Sequence, residues 1–404
     1  MQPKPNPWIL FFLSGVGFLV ALGFSLIVPV LPLYAKSFGA TNLQIGAIVS
    51  GFAVARMAFS MPAGFFADRF SSRNLIVLGL VIVSAASVVV ALAESYELIL
   101  LGRVVSGFGS AFYMTTSVTL LAHITSRGSR GRSMSIYDAI QRVGFIVGPG
   151  LGGFFSFTMG LNVPFFVYAV VLGVAAVIAY IGLNIPAQNQ GKQKQNFSEA
   201  FRLYRNRSFL AVNLATFGLF FVMIGLNLTV LPLFAFANLG LNELEYGLIF
   251  TTYAAFYTAS SLPAGFLSDR FGRKPFMMLS LLAASAIVFF IPQSNDTFQF
   301  TFILILYGLA MGLTGHVAAW ISDLAPIGKI GMAIGSYRTV NDLGVVAGPI
   351  ILTSLSSGGL GISEMPFYFS SAILLFFGLI LIKARDPVAK RSIMHDRQTA
   401  GTQL

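Results

Sequence analysis

A helix needs about 20 mostly apolar residues to cross roughly 30 Å of hydrocarbon. This chain offers such a run twelve times, at 8–33, 44–66, 74–93, 98–122, 133–157, 164–184, 208–234, 244–266, 275–292, 297–320, 330–354 and 365–384. A helix satisfies its own backbone hydrogen bonds, so runs of this length predict an all-α membrane protein with twelve transmembrane helices. Composition excludes a soluble alternative, because 56% of residues are hydrophobic, 10% are charged and the mean hydropathy is +0.81. The first run is too long for a signal-peptide core and has no small-residue cleavage site after it, so it is expected to remain as a span.

The formal charge of +11 is a topology signal. Of the 25 Lys and Arg, Arg56, Arg103, Arg142 and Arg338 fall within spans, Lys36 lies on one side, and all the others lie at the N-terminus, in alternate loops or in the C-terminal tail. The positive-inside bias places both termini in the cytoplasm, and the membrane expected is the plasma (inner) membrane. Glu94, Glu97, Glu243, Glu245, Asp296 and Glu364 then fall outside. This distribution of charge excludes nucleic acid as the partner and implies a lipid bilayer.

Met61-Pro62-Ala63-Gly64-Phe65-Phe66-Ala67-Asp68-Arg69-Phe70 returns as Leu262-Pro263-Ala264-Gly265-Phe266-Leu267-Ser268-Asp269-Arg270-Phe271, each time after a long apolar segment. The chain therefore reads as a duplicated unit. A six-helix bundle at 1–184 is followed by a linker at 185–207, a second bundle at 208–384 and a tail at 385–404. The first part of the linker is rich in Gln, Asn and Lys and reads as flexible. In its second part Phe197, Phe201 and Tyr204 recur at helical spacing, which predicts an amphipathic helix at the headgroup level against the alternative of a solvated loop.

Chemistry at a fixed site finds no support. The chain has no cysteine, and His123, His316 and His395 are too scattered to bind a metal. No nucleophile elbow or phosphate loop is present, and Gly107-x-Gly109 lies inside a span with no strand before it. The expectation is a protein that is not an enzyme and needs neither metal nor cofactor.

Two related sets of six spans, a polar central loop and the repeated Gly-x-x-x-Asp-Arg loop together resemble the major facilitator superfamily over essentially the whole chain. Gly265, Asp269, Arg270, Gly272, Arg273 and Lys274 match that family's loop motif. Gly64, Asp68, Arg69 and Arg73 match in the first copy, but Ser71 stands where the family has Gly and Ser72 where it has a base. The resemblance implies a conformational latch, with Asp68 facing the start of the eleventh span near Gly331. A carboxylate at a helix N-terminus contributes about 0.3–1 kcal/mol when exposed and up to ~2 when partly buried, a contact easily broken and remade. The plainer alternative makes the arginines topology determinants and the two aspartates their counterions. Leu101-Gly102-Arg103-Val104-Val105-Ser106-Gly107-Phe108-Gly109 resembles the family's intramembrane-arginine motif, associated with proton-coupled members. Gly144, Gly148, Pro149, Gly152 and Gly153 in the fifth span resemble its drug-antiporter motif, and Gly344, Gly348 and Pro349 repeat the first part. Small residues there also permit close helix packing, which by itself accounts for the glycines.

A charge at the bilayer centre costs ~2.5–3.5 kcal/mol on the lenient insertion scale, so each one is a functional candidate that must find partners. Asp138 and Arg142 sit i, i+4 on the fifth span, while Arg338 and Asp342 occupy the duplicated slots of the eleventh with the charges reversed. Each pair can neutralise itself as a structural salt bridge. In the resembling fold the second and eleventh spans are neighbours, which would place Asp342 between Arg338 and Arg56 as interface charges. Asp138 has Arg142 as its evident partner, and burial would raise its pKa toward the range where protons bind and leave. Asp138 is thus the first candidate for proton carrier and Asp342 the second, with the third possibility that neither serves. Arg103 and Arg142 complete the coupling set.

By family analogy the first, fourth, seventh and tenth spans line the cavity. Phe18, Tyr113, Phe217, Phe221, Asn227, Tyr307 and His316 are its candidate lining, although any one of them could simply pack, and His316 in particular reads as a satisfied polar core residue ahead of a coupling site. Aromatic walls suit an apolar or amphipathic ligand. The resemblance implies a monomeric secondary transporter working by alternating access, with proton-coupled export of hydrophobic or amphipathic small molecules and the proton gradient as energy source. One alternative is an organic-anion or metabolite carrier using Arg56 or Arg103, and another is a non-transporting membrane sensor on the same fold.

Overall fold

The computed structural model describes residues 7–67, 69–125, 130–183, 202–326, 329–358 and 361–387. Asp68 of the first loop copy and Phe197 and Phe201 of the expected linker helix lie outside the described residues, as does most of the tail. The helices are α1 (Pro7–Ile27), α2 (Leu31–Ser37), α3 (Asn42–Ala67), α4 (Ser72–Ala91), α5 (Tyr96–Ile124), α6 (Arg130–Met159) and α7 (Val163–Gly182), followed by α8 (Arg207–Gly225), α9 (Leu231–Asn238), α10 (Glu243–Phe271), α11 (Lys274–Phe290), α12 (Thr297–Gly312), α13 (Val317–Leu324), α14 (Ile330–Ser354) and α15 (Met365–Ile380). A two-residue antiparallel ladder, Ser357–Gly358 with Gly361–Ile362, lies between α14 and α15. With α1–α2, α8–α9 and α12–α13 each counted as one broken span, the chain makes twelve crossings in an all-helical membrane fold.

Two of the breaks are proline-driven and repeat with the duplication. Leu31-Pro32-Leu33 opens α2 after a turn at Val28–Val30, and Leu231-Pro232-Leu233 opens α9 after the π-helical segment Leu226–Val230. Proline has no N–H to give the helical ladder and its ring crowds the preceding turn, so the chain must widen or break there. Among the described residues nine spans qualify as membrane-crossing on length and hydropathy. The other three, α6, α10 and α14, carry Asp138 and Arg142, Glu243 and Glu245, and Arg338 and Asp342, yet run for 30, 29 and 25 residues.

The chain packs as two units, 1–192 with 231–251, and 193–230 with 252–404. In the first, α1 packs on α6 and α7, α4 on α5 and α7, and α3 on α5. In the second, α8 packs on α14 and α15, and α11 on α12 and α15. Four of the five pairs of the first unit thus recur in the second: α1–α6 as α8–α14, α1–α7 as α8–α15, α4–α5 as α11–α12 and α4–α7 as α11–α15. The outward faces are apolar: on α7, Val170, Val174, Val177 and Ile181 form an exposed stripe at helical spacing, as expected of a face turned to lipid.

Within hydrocarbon no hydrophobic force draws helices together, so contact must come from close packing. The row Gly144, Gly148, Gly152 lets α6 touch the backbone of α1. A Cβ at Gly144 would stand 2.7 Å from Phe18 O, and one at Gly152 would collide with Leu26 O. Gly344 and Gly348 do the same for α14 against Phe217 O and Phe221 O of α8. Gly152→Ala should therefore lower stability by about 1–3 kcal/mol through overpacking. Gly335→Ala, with nothing within 4 Å of the added carbon, should be neutral or stabilising by up to ~1 kcal/mol. Thermal unfolding of the two purified variants in one detergent checks the contrast.

Candidate functional site

The first unit holds its buried charge on an aromatic ring. Arg103 of α5 is 2% exposed, and its guanidinium carbon lies 4.5 Å from the Phe52 ring centroid on α3, with Nε lacking a hydrogen-bond partner among the described residues. Arg56, one turn further along α3, approaches the same ring at 5.8 Å. Phe24 of α1 packs between Phe52 and Phe145 of α6, at 5.9 and 6.3 Å. A ring face offers a cation partial compensation, worth ~2 kcal/mol or more when desolvated. Two cations thus converge on Phe52, and Arg103 keeps a donor unspent.

Other expected residues of this unit take varied positions. Tyr113 is buried and pairs with Tyr137 of α6, hydroxyl to hydroxyl at 3.2 Å. Phe18 is half-buried on α1, opposite Gly144. Asp138 departs from the expectation of burial: its side chain is exposed on α6, where the helix buries the neighbouring Tyr137 instead. Arg142, one turn on, is half-buried. Gly150 donates its N–H to Thr251 Oγ1 at 2.9 Å, and Gly153 faces Glu243 O and Gly247.

The second unit gathers neutral polar groups. Tyr253 of α10 and Tyr307 of α12 stack at 5.5 Å with 21° between planes, and Tyr257 lies 6.3 Å from Tyr253. Asn227, in the π-helical segment, donates Nδ2–H to the Tyr253 hydroxyl at 2.9 Å. The widened turn before Pro232 is what carries this side chain. Tyr307 is fully buried, yet among the described residues its hydroxyl has no hydrogen-bond partner, and neither does Asn227 Oδ1. Two buried polar atoms without partners, beside three tyrosine rings, form a place ready to accept a ligand's donor or acceptor. Sequence reasoning missed Tyr253 and Tyr257 because it did not assign the eighth span to the lining. The alternation of Tyr253, Tyr257 and Ser261 at i, i+4, i+8 was the signal available.

Phe217 and Phe221 stand elsewhere. Their rings contact Phe377 and Phe369 of α15 at 6.2 and 6.4 Å, inside the packing of α8 on α15. His316 also departs from the cavity expectation. At the start of α13, its Nε2 lies 2.7 Å from Arg273 O in the loop between α10 and α11, so the break in the tenth span turns the ring toward that loop. Arg338 is exposed and Asp342 half-buried on α14.

The two loop copies differ. In the second, Arg273 Nη1 bridges Asp269 at 2.6 Å and donates to Ser268 Oγ, while its Nε donates to Asp323 Oδ2 at 3.2 Å. The Lys274 N–H donates to Asp386 Oδ2 at 2.8 Å, at the start of α11, and Arg270 lies against Phe271. Gly272 has φ +98°, a turn that an L side chain adopts only under strain. In the first copy Ser71 has φ −57°, so the serine is accommodated by a different turn. There Arg69 lies over Phe65 at 4.0 Å and Arg73 over Tyr180 at 5.0 Å. Gly64 and Gly265 face open space or distant atoms. Asp323 and Asp386 were not read as members of this network, since nothing local to either residue points to a loop 50 or 112 residues away.

The family model for the Major Facilitator Superfamily matches residues 13–242 and 214–403. Multidrug resistance protein 2 of Bacillus subtilis is 27% identical over 385 residues, covering 90% of this chain and 92% of that protein. Quinolone resistance protein NorA of Staphylococcus aureus is 33% identical over 166 residues, 41% of this chain and 42% of NorA. Among solved structures, the nucleoside transporter NupG aligns with a TM-score of 0.77 at 16% identity, covering 93% of this chain and 100% of that one. The human organic anion transporter MFSD10 gives 0.69 at 18% identity, covering 94% and 100%.

The loop geometry separates the copies experimentally. Gly272→Ala should cost about 1–2 kcal/mol through the left-handed turn it forces, whereas Ser71→Gly should not stabilise the protein, because Ser71 already sits in a conformation open to any residue. Paired thermal melts of the two variants measure this.

Proposed function

The chain belongs to the major facilitator superfamily, and from that premise we propose that this multi-pass membrane transporter exports hydrophobic or amphipathic small molecules in exchange for protons. The observation that carries the reading is its similarity, over nine-tenths of both chains, to a protein named for multidrug resistance. The neutral aromatic cluster of the second unit supports it. Tyr253, Tyr257 and Tyr307 offer ring faces to an apolar ligand, while the Tyr307 hydroxyl and Asn227 Oδ1 supply one unspent donor or acceptor each. Few polar anchors on a wide apolar wall recognise a class of compounds rather than a single one. Transporters of this family need no cofactor, and the reading takes the proton gradient across the plasma membrane as the energy source, with both termini cytoplasmic.

Proton coupling requires a group that binds and releases a proton as the transporter changes state. Asp138 is the proposed carrier: it lies inside a span with its carboxyl accessible, one helical turn from Arg142. Arg103, held on Phe52, is the proposed cation whose field changes with ligand or proton occupancy, and Asp342 with Arg338 the counterpart pair of the second unit. Alternating access would rock one bundle against the other, with the cytoplasmic loop of Asp68, Arg69 and Arg73 and that of Asp269, Arg270 and Arg273 as breakable latches.

A second reading draws on the first unit. Arg56 and Arg103 both approach Phe52, and the free Nε–H of Arg103 is a donor suited to a carboxylate or phosphate, which would make the cargo an organic anion.

In proteoliposomes with an imposed pH gradient, the wild-type protein should move lipophilic dyes against their gradient. Asp138→Asn should cut that movement at least tenfold while leaving dye binding unchanged. Failure of the pH gradient to drive any dye would overturn the export reading, and gradient-driven uptake of organic anions abolished by Arg103→Ala would establish the second one. Tyr307→Phe separates ligand contact from packing. Its hydroxyl bonds to nothing among the described residues, so unfolding stability should stay within about 0.5 kcal/mol, while affinity for a hydrogen-bonding ligand should fall roughly five- to tenfold.

A further inference from the structure

We propose that the groove between the start of α8 and the end of α15, within the second unit, binds an anionic phospholipid of the cytoplasmic leaflet. The groove has a volume of about 1240 Å³ and opens where the last span runs into the tail, the end that the loop cations assign to the cytoplasm. Its head carries Arg207, Lys383 and Arg385, all exposed and none in an ion pair among the described residues. Two carboxylates share the rim, and both are engaged by other groups. Asp323 accepts from Arg273 Nε at 3.2 Å, and Asp386 accepts the Lys274 backbone N–H at 2.8 Å. The three cations are therefore left to face an external anion.

The head is built on a fixed backbone. The Arg385 N–H donates to Ser208 Oγ at 2.8 Å, and Lys274 Nζ donates to Ile382 O at 2.6 Å, so the turn after α15 is tied to the first turn of α8 and to the start of α11. Asn206 caps α8 through its side chain, accepting from the Ser208 and Phe209 N–H groups. Long basic side chains on an anchored turn lose less freedom on binding than the same side chains on a loose tail.

The walls decide the kind of anion. Leu210 and Leu214 lie one and two turns into α8 from Arg207, and Leu379 and Phe376 lie one and two turns into α15 from Lys383. They remain 38, 37, 48 and 60% exposed. The groove thus passes within roughly 10 Å from a cationic mouth to an apolar channel open to the membrane. A soluble phosphate would use the mouth and leave the channel bare, whereas a phospholipid satisfies both. Its headgroup meets the cations and an acyl chain lies along the leucines and Phe376, which is the chemistry of basic pockets between helices on the cytoplasmic side.

This assignment does not rest on the export reading, and its test needs no transport. The full chain is placed in nanodiscs of phosphatidylcholine containing about one-fifth phosphatidylglycerol, and bound lipid is measured by native mass spectrometry after stepwise delipidation. The wild type should retain one phosphatidylglycerol with at least tenfold preference over phosphatidylcholine. Lys383→Gln with Arg385→Gln should reduce that preference to about twofold or less, and Phe376→Ala should also lower it. Arg202→Gln with Arg205→Gln removes the same charge from residues outside the groove and should leave it intact. Melting points in pure phosphatidylcholine identify any variant that fails to fold, in which case the single change Lys383→Gln, expected to lose about half of the logarithmic preference, takes its place. Equal retention of the two lipids by the wild type, equal loss in both double variants, or full displacement by soluble glycerol phosphate would each overturn the assignment.

Discussion

Every helix here must close its own backbone hydrogen bonds and then find neighbours in a medium as apolar as its own side chains. The structure depends on how that second requirement is met. Where hydrophobic burial contributes little, close contact of backbones does the joining, and α6 meets α1 through Gly144, Gly148 and Gly152 as α14 meets α8 through Gly344 and Gly348. The same packing pairs recur in both units, α1 with α6 and α8 with α14, α4 with α7 and α11 with α15. Duplication has thus preserved the contacts that assemble a bundle, including the glycines that make them possible.

The polar groups show what the duplication did not preserve. The first unit places a buried arginine on Phe52, with a second arginine approaching the same ring. The second unit builds instead a cluster of tyrosines and one asparagine. Neutral hydrogen-bonding groups cost less to hold inside a bilayer than a charge does, but each still needs a partner. That Tyr307 and Asn227 each leave one atom without a partner is the feature of the second unit that most favours a ligand site. The two loop copies diverge in the same way, since Gly272 permits a left-handed turn and the ion pairs around Arg273, while the described part of the first copy relies on arginines lying over Phe65 and Tyr180.

Much of the architecture was legible because it depends on sums over residues. The eighth span, expected at 244–266, runs Glu243–Phe271, and the eleventh, expected at 330–354, runs Ile330–Ser354. The breaks were less legible, since Pro32 and Pro232 sit within continuous apolar runs, and hydropathy does not register a widened turn. The candidate site was legible in part. Arg103 and Tyr307 could be singled out by residue type and position, but the partner of Arg103 lies 51 residues earlier on another helix. Phe217 and Phe221 share composition with any lining residue, and only the facing of α8 on α15 places their rings in the packing. His316 likewise meets the Arg273 carbonyl because the tenth span breaks just before it.

The chain alone determined the number of crossings and the doubling of the unit, and it set the expectation for their direction. Transfer into hydrocarbon and the bias of loop cations depend on which residues are present and in what order, and those quantities need no partner. Tertiary structure decided which side of each helix faces protein, lipid or open space, and hence which polar atoms are spent and which remain available. A helix surrounded by lipid is apolar all round, so the pattern that would reveal its inner face in water is absent, and small steric fits between backbones settle the question instead.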